Sequence, residues 1–352
     1  MQPIEYLEQL LVIESHETVD EIQDYLLETV NGAQLDDTGC IYAVKDGVEG
    51  GPQLVLNTHM DVVSPHLLFE RDGDIIRGRG ACDAKGSLAA MVSAFSRIEP
   101  RLGSVKLIIS PDEETTHRGL AAYLSEENTS DFAIVGEPSG LDICPYARGH
   151  YDLLVELYGE SAHGATPDSG LNTTVCAAEA ITRIVALPQS EDELVGTNNV
   201  TPTIIDGGNR PNQVPDYTRF VVDYRPIPIE TRDDAVRTIQ KALTGLNCDY
   251  EISFYEQGAA LDSFKTHPEH EFVQAFSASC ERITGDAVEH RPFDAATEAA
   301  VFAPSMPVVV FGPGLISDNG EPIAHSEREF VHASNVETAT EILHDFLAEQ
   351  LS

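Results

Sequence analysis

Four short apolar runs, each followed by a residue able to hold a metal ion or a proton, set the strongest limit on how this chain folds. Leu54-Val55-Leu56-Asn57-Thr58 ends at His59, with Asp61 two residues on. Ser104 to Ser110 leads to Asp112-Glu113-Glu114, and Asp131 to Val135 ends at Gly136-Glu137. Pro307 to Phe311 runs through Gly312-Pro313-Gly314 into a loop that carries His325. Such runs read as buried strands. In an open α/β sheet the functional crevice lies outside the carboxyl ends of the strands. Four such strands in one sheet would therefore bring all four groups together. Asp83, between Gly80 and a helical run from Gly86 to Ile98, is a fifth candidate.

The rest of the chain supplies the layers. Helical spacing covers 3–14, 17–30, 117–126, 268–284, 295–303 and 335–349. Strand patterns cover 40–44, 53–57, 104–109, 131–135, 287–290 and 307–311, and Asp72-Gly73 marks a hairpin into Ile75-Ile76. Between these, strand 149–158, helix 171–187, strands 200–205 and 217–224, helix 231–244 and strand 249–256 give the β-α-β-β-α-β order of a ferredoxin-like unit. After Gly258 the first pattern resumes. The expected architecture is an α/β domain of residues 1–147 and 258–352, with a smaller domain, residues 148–257, inserted into it.

Composition narrows the function classes. The chain has 352 residues with 59 acids against 21 Lys and Arg, a net charge of −38. Phosphates would be repelled, which excludes nucleic acid as a natural partner. The acids are spread along a chain that is 42% hydrophobic, so this is a folded protein rather than an acidic disordered one. The charge fits adaptation to high salt, where screening offsets self-repulsion. No apolar run reaches the roughly 18 residues of a membrane span. The acid-containing start MQPIEYLEQLLVIES does not read as a signal peptide. Six scattered cysteines without a CxxC pair suit free thiols in a reducing cytoplasm.

Taken singly, each strand-end group has a plain reading. Asp83 can cap its helix, Glu113-Glu114 and Glu137-Pro138 can be surface turns, and His325 is one of twelve histidines. Their coincidence favours a shared site, because clustered buried carboxylates need a compensating cation. Histidine and carboxylate donors without thiolate suit Zn²⁺, ahead of Co²⁺ or Mn²⁺. The donors are too many for one tetrahedral ion and fit two ions, with a shared water as nucleophile. One carboxylate should stay free to take that water's proton, a role that Glu113 or Glu114 can fill. Asp61 is close enough in sequence to brace His59.

Together His59-Met60-Asp61-Val62-Val63, Gly78 to Gly86 (GRGACDAKG), Asp112-Glu113-Glu114 and Gly136-Glu137-Pro138-Ser139 resemble the ordered motifs of the M20 metallopeptidase and deacylase family. The resemblance implies a di-metal exopeptidase-like catalytic domain, with a mixed central sheet flanked by helices, and an inserted ferredoxin-like lid and dimerisation domain. It implies that His59 and Glu137 hold one metal, Glu114 and His325 the other, and that Asp83 bridges them through a residue followed by a cis peptide. Asp61 would orient His59 and Glu113 would be the general base. In the inserted domain, Ser161-Ala162-His163-Gly164 implies that His163 stabilises the oxyanion. Asn212 and Arg225 match positions that grip a substrate carboxylate, a task suited to the guanidinium fork.

Thr297-Glu298-Ala299-Ala300, followed by Gly312-Pro313-Gly314 and Ala324-His325, is similar to the acetylornithine deacetylase branch of that family. In that branch Glu298 would meet a cationic side-chain amine. The expected activity is thus removal of an acyl group from an N-acyl amino acid by a cytoplasmic homodimer. A metallo-exopeptidase acting on short peptides, or a succinyl-diaminopimelate desuccinylase, would use the same centre.

Overall fold

The computed structural model describes residues 2–126, 130–256 and 260–352. Its main sheet has a parallel centre in the order Leu102–Ser110, Val48–His59, Phe132–Val135, Val308–Val310. Ile41–Asp46 flanks this centre antiparallel on one side and Ile143–Ala147 on the other. All residues of Phe132–Val135 and Val308–Val310 are buried, which is why these runs are apolar without alternation. Register aligns the carboxyl ends: His59 lies opposite Ser110, Asn57 opposite Val135, and Val135 opposite Val310. The residues following these strands therefore leave the sheet along one edge.

Helices complete the layers. Lys85–Arg97 is buried from Lys85 through Phe95 and packs with Pro3–Val12 and Ala333–Gln350. Its Gly, Ser and Ala residues allow that close approach. The segment that follows Val308–Val310 needs a residue without a Cβ at Gly312, because one there would lie 2.3 Å from both Glu137 O and Ser87 Oγ. The Asp72-Gly73 signal forms the hairpin of Glu70–Asp72 and Ile75–Arg77, with Gly73 at φ 62°.

Three details depart from the sequence pattern. Ile143–Ala147 is a strand despite Pro145, whose missing N–H reads as a strand breaker. Helix 295–303 shrinks to Ala299–Phe302, with Pro304 soon after. The strand expected at 287–290 lies at His290–Phe293.

The chain divides into two compact units, Met1–Tyr146 with Lys265–Ser352, and Ala147–Phe264. Gly258, where the first pattern was expected to resume, lies outside the described residues. In the second unit the sheet order is Asp249–Phe254, His150–Tyr158, Tyr217–Arg225, Asn199–Gly207, all antiparallel. Helices Thr173–Val185 and Arg232–Leu243 complete the split β-α-β arrangement. Tyr151, Leu153, Val155 and Leu157 alternate onto one face, where they meet Ala177, Ala180, Ile239 and Leu243. Asn172 caps the first helix and Thr231 forms a capping box with Asp234 on the second. The cysteines are free thiols, and among the described residues no helix is long and apolar enough to cross a membrane.

Candidate metal centre

The parallel strands deliver their terminal residues to one cluster. His59 Nε2, Asp83 and Glu137 each offer a donor atom, and all three lie within 4.8 Å of one another. Asp83, Glu114 and His325 form a second such group, so Asp83 belongs to both. Asp83 divides its oxygens: Oδ1 is 3.3 Å from His59 Nε2 and Oδ2 is 3.3 Å from His325 Nε2. Glu137 Oε2 lies 3.8 Å from His59 Nε2, and Glu114 Oε1 lies 3.0 Å from His325 Nε2. The peptide from Asp83 to Ala84 is cis. His325 is held at φ 60°, a left-handed conformation uncommon for a non-glycine residue and enriched at functional sites.

These residues fit divalent cations. His59 Nδ1 faces the Asp61 main-chain carbonyl at 3.0 Å. Donation there leaves Nε2 presenting a lone pair toward carboxylate oxygens, an arrangement that calls for a positive charge between them. Donor separations of 3.3 to 3.8 Å around His59 bracket the edge of a tetrahedron with metal–ligand bonds of about 2.0–2.1 Å.

Electrostatics report the same demand. Burial, then repulsion from Glu137, pushes the Glu113 carboxyl well above its ordinary range, with His59 easing it. Burial raises Glu137 to about 7, against the relief of its His59 contact. Glu114 is also raised by burial. His59 is buried, which opposes its cation, yet Asp61, Asp83 and Glu137 hold it well above 6.5. Contacts with Asp83 and Glu114 raise His325 to about 10. Asp83, unlike Glu113, Glu114 and Glu137, is held low, because the two imidazoles outweigh its burial.

The carboxylate of Asp61 does more than face His59. It lies 3.3 Å from Nδ1 and accepts the main-chain N–H groups of Glu113 (3.1 Å) and Glu114 (2.9 Å). It thereby pins the turn that carries both glutamates. Asp112 points elsewhere, accepting the N–H groups of Arg118 and Gly119 at the start of helix Arg118–Glu126. Thr297, which sequence spacing leaves without a role, donates to Glu137 Oε1 at 3.0 Å.

Glu298 lies against Ser110, the last residue of Leu102–Ser110. It is fully buried, accepts from Ser110 Oγ at 2.6 Å, and is raised to about 8 by burial.

In the second unit the strands Ala162–His163 and Gln213–Val214 pair, which brings His163 beside Asn212; both are exposed, and Gly164 N–H donates to Asn212 O at 2.8 Å. Arg225 donates to both oxygens of Asp223, at 2.7 and 2.9 Å. His150 and Asp152 stand beside this pair, and the three acidic and imidazole groups are close enough to chelate. The guanidinium already neutralises Asp223, so the cluster is an ion-pair network on the sheet face.

Two histidine–carboxylate triads joined by one aspartate, at the carboxyl edge of a parallel sheet, define a dinuclear hydrolase type of centre. Residues 55–349 match the model of peptidase family M20/M25/M40, and the chain belongs to that family. It is a metal-dependent hydrolase of amide or peptide bonds. A [LysW]-lysine/[LysW]-ornithine hydrolase assigned in Pyrobaculum aerophilum is 28% identical over 91% of this chain and 88% of its own. Acetylornithine deacetylase of Pectobacterium carotovorum is 27% identical over 85% and 81%. Aminopeptidase PepT of Bacillus cereus superposes with a TM-score of 0.82 at 19% identity, over 99% and 98% of the two chains. A dinuclear metal-binding M20 peptidase of Bacillus subtilis gives 0.71 at 16% identity, over 99% and 97%.

Proposed function

We propose that this hydrolase removes the acyl group from an N-acyl amino acid, with an N-acylated ornithine-like compound as the leading substrate class. The observation that carries the reading is the pair of triads sharing Asp83, with Glu113 half-buried beside His59 and outside those two triads. His59, Asp83 and Glu137 would hold one divalent ion, and Asp83, Glu114 and His325 the other, with Zn²⁺ preferred for this donor set. When bound, such a pair supplies Lewis acidity and lowers the pKa of a water. Glu113 accepts the proton of the attacking water and returns it to the leaving amine. His163 is assigned to the developing oxyanion, and Arg225 with Asn212 to the substrate carboxylate. Two of the sequence relatives carry ornithine in their names, one of them beside lysine, which supports a basic amino acid of that kind as the product.

The test is a screen of N-acetylornithine, other N-acyl amino acids including N-succinyl-diaminopimelate, and dipeptides, in high salt with Zn²⁺ or Co²⁺. The expected result is kcat/KM for N-acetylornithine at least about tenfold above that for any dipeptide, the discrimination of a single well-made contact. A dipeptide as best substrate would overturn the deacylase reading in favour of an exopeptidase.

The second unit is assigned to dimerisation. Asn199–Gly207 ends its sheet, and Ile204 and Ile205 are 53% and 56% exposed there. An unpaired apolar edge is a template for a second strand. Light scattering should give a dimer, and Ile205→Lys a monomer that retains its fold; a monomeric parent protein would sink the assignment.

A further inference from the structure

We propose that Glu329 is a positioning residue that locks the Asp83 turn to the His325 loop. It lies four residues beyond His325 and is 1% exposed. Its Oε1 accepts three main-chain N–H groups of the other loop, from Gly80 (2.9 Å), Cys82 (3.1 Å) and Asp83 itself (3.2 Å). Its Oε2 accepts from Arg79 Nη1 at 2.5 Å. Arg79, equally buried, returns to the His325 loop by donating to Ser326 O at 3.2 Å, and Nε donates to Pro65 O at 3.1 Å. The two segments are thus cross-linked in both directions.

The division of Glu329's oxygens is what separates this from an ordinary buried ion pair. A carboxylate facing a guanidinium gains most from a two-pronged contact. Here only one oxygen meets Arg79, and the other is spent on amides of the turn that sets Asp83. Asp61 treats the Glu113-Glu114 turn in the same way, taking two successive amides. The Asp83 turn and the Glu113-Glu114 turn therefore each have their own buried carboxylate anchor. Asp83 faces both imidazoles, so a displacement of its turn would disturb both halves of the centre at once.

The inference rests on the proposed ligand set, and the test separates the two. Glu329→Asp keeps the charge beside Arg79 but withdraws the carboxylate by about one C–C bond, roughly 1.5 Å. It should lower metal affinity about 10- to 100-fold, the usual cost of losing a ligand's support, and lower kcat with little change in KM. The pair Arg79→Met with Glu329→Gln abolishes the ion pair but keeps an oxygen for the amides, and should bind metal within about fivefold of the parent. Competition with a chromophoric chelator measures affinity, and thermal unfolding confirms the fold. The opposite ranking, with Glu329→Asp unaffected and the double variant impaired, would show a plain ion pair and overturn the proposal. Asp83→Asn is the control for the ligand set. If it retains two ions per chain, the ligand reading fails; if it loses metal while Glu329→Asp does not, only the anchor fails.

Discussion

Glu113→Gln should yield a folded protein that takes up its metals and turns over substrate at least about 10³-fold more slowly, in the range general acid–base catalysis supplies. The substitution keeps shape and hydrogen-bonding capacity and removes only the ability to take a proton. The geometry makes it a clean test. The turn is held by main-chain N–H groups on Asp61, not by the Glu113 side chain, so the backbone should stay in place. Burial and the neighbouring Glu137 raise the carboxyl well above its ordinary range, which suits a base that must release its proton again near neutrality. Glu113 also lies within chelating reach of His59 and Glu114, so a competing role is as a ligand. Metal content decides between them. Two ions per chain with turnover lost supports the base. Loss of an ion in Glu113→Gln would make it a ligand, and retained turnover would remove it from the chemistry altogether.

How much of this was legible in the sequence depends on the range of the interaction involved. The parallel strands announce themselves because burial on both faces demands uninterrupted apolar runs, and their ends mark His59, Glu113, Glu114 and Glu137. Local chemistry also reads well, as at Asp72-Gly73. Ile143–Ala147 does not, since its pairing with Val310 overrides the local signal of Pro145. Glu329 is invisible for the same reason: its partners sit about 250 positions earlier, and Glu-Arg-Glu in an acidic chain looks like solvated surface. Glu298 is legible only in part. The branch resemblance assigns it to a substrate amine, while its burial against Ser110 comes from tertiary packing that no local pattern announces. Asp61 is read in part, because adjacency to His59 is local while its hold on the Glu113-Glu114 turn spans two strands.

Removing the metals should destabilise the protein more at high pH than at low pH. Glu137 has its folded pKa raised from 4.5 to about 7 in the metal-free cluster. A raised pKa contributes stability that is complete below the unfolded value and is lost as pH climbs through the folded one. His325, raised from 6.5 to about 10, acts in the same direction over a higher window. Asp83, held low, opposes this only in acid, below the ordinary aspartate range. The metal-free protein should therefore lose stability steadily between about pH 5 and pH 9. Cations reverse the logic, since they favour ionised carboxylates and neutral imidazoles, and binding releases protons that a higher pH absorbs. The stabilisation by metal, about 2.7 kcal/mol at a hundredfold excess over Kd, should therefore grow with pH as Kd falls. Thermal unfolding of metal-loaded and chelated protein at pH 5, 7 and 9, at constant high salt, measures it. The gap in Tm should widen at each step, and chelation should abolish turnover until Zn²⁺, Co²⁺ or Mn²⁺ is restored. A gap that stays constant or narrows would mean that these carboxylates and imidazoles do not hold the ions.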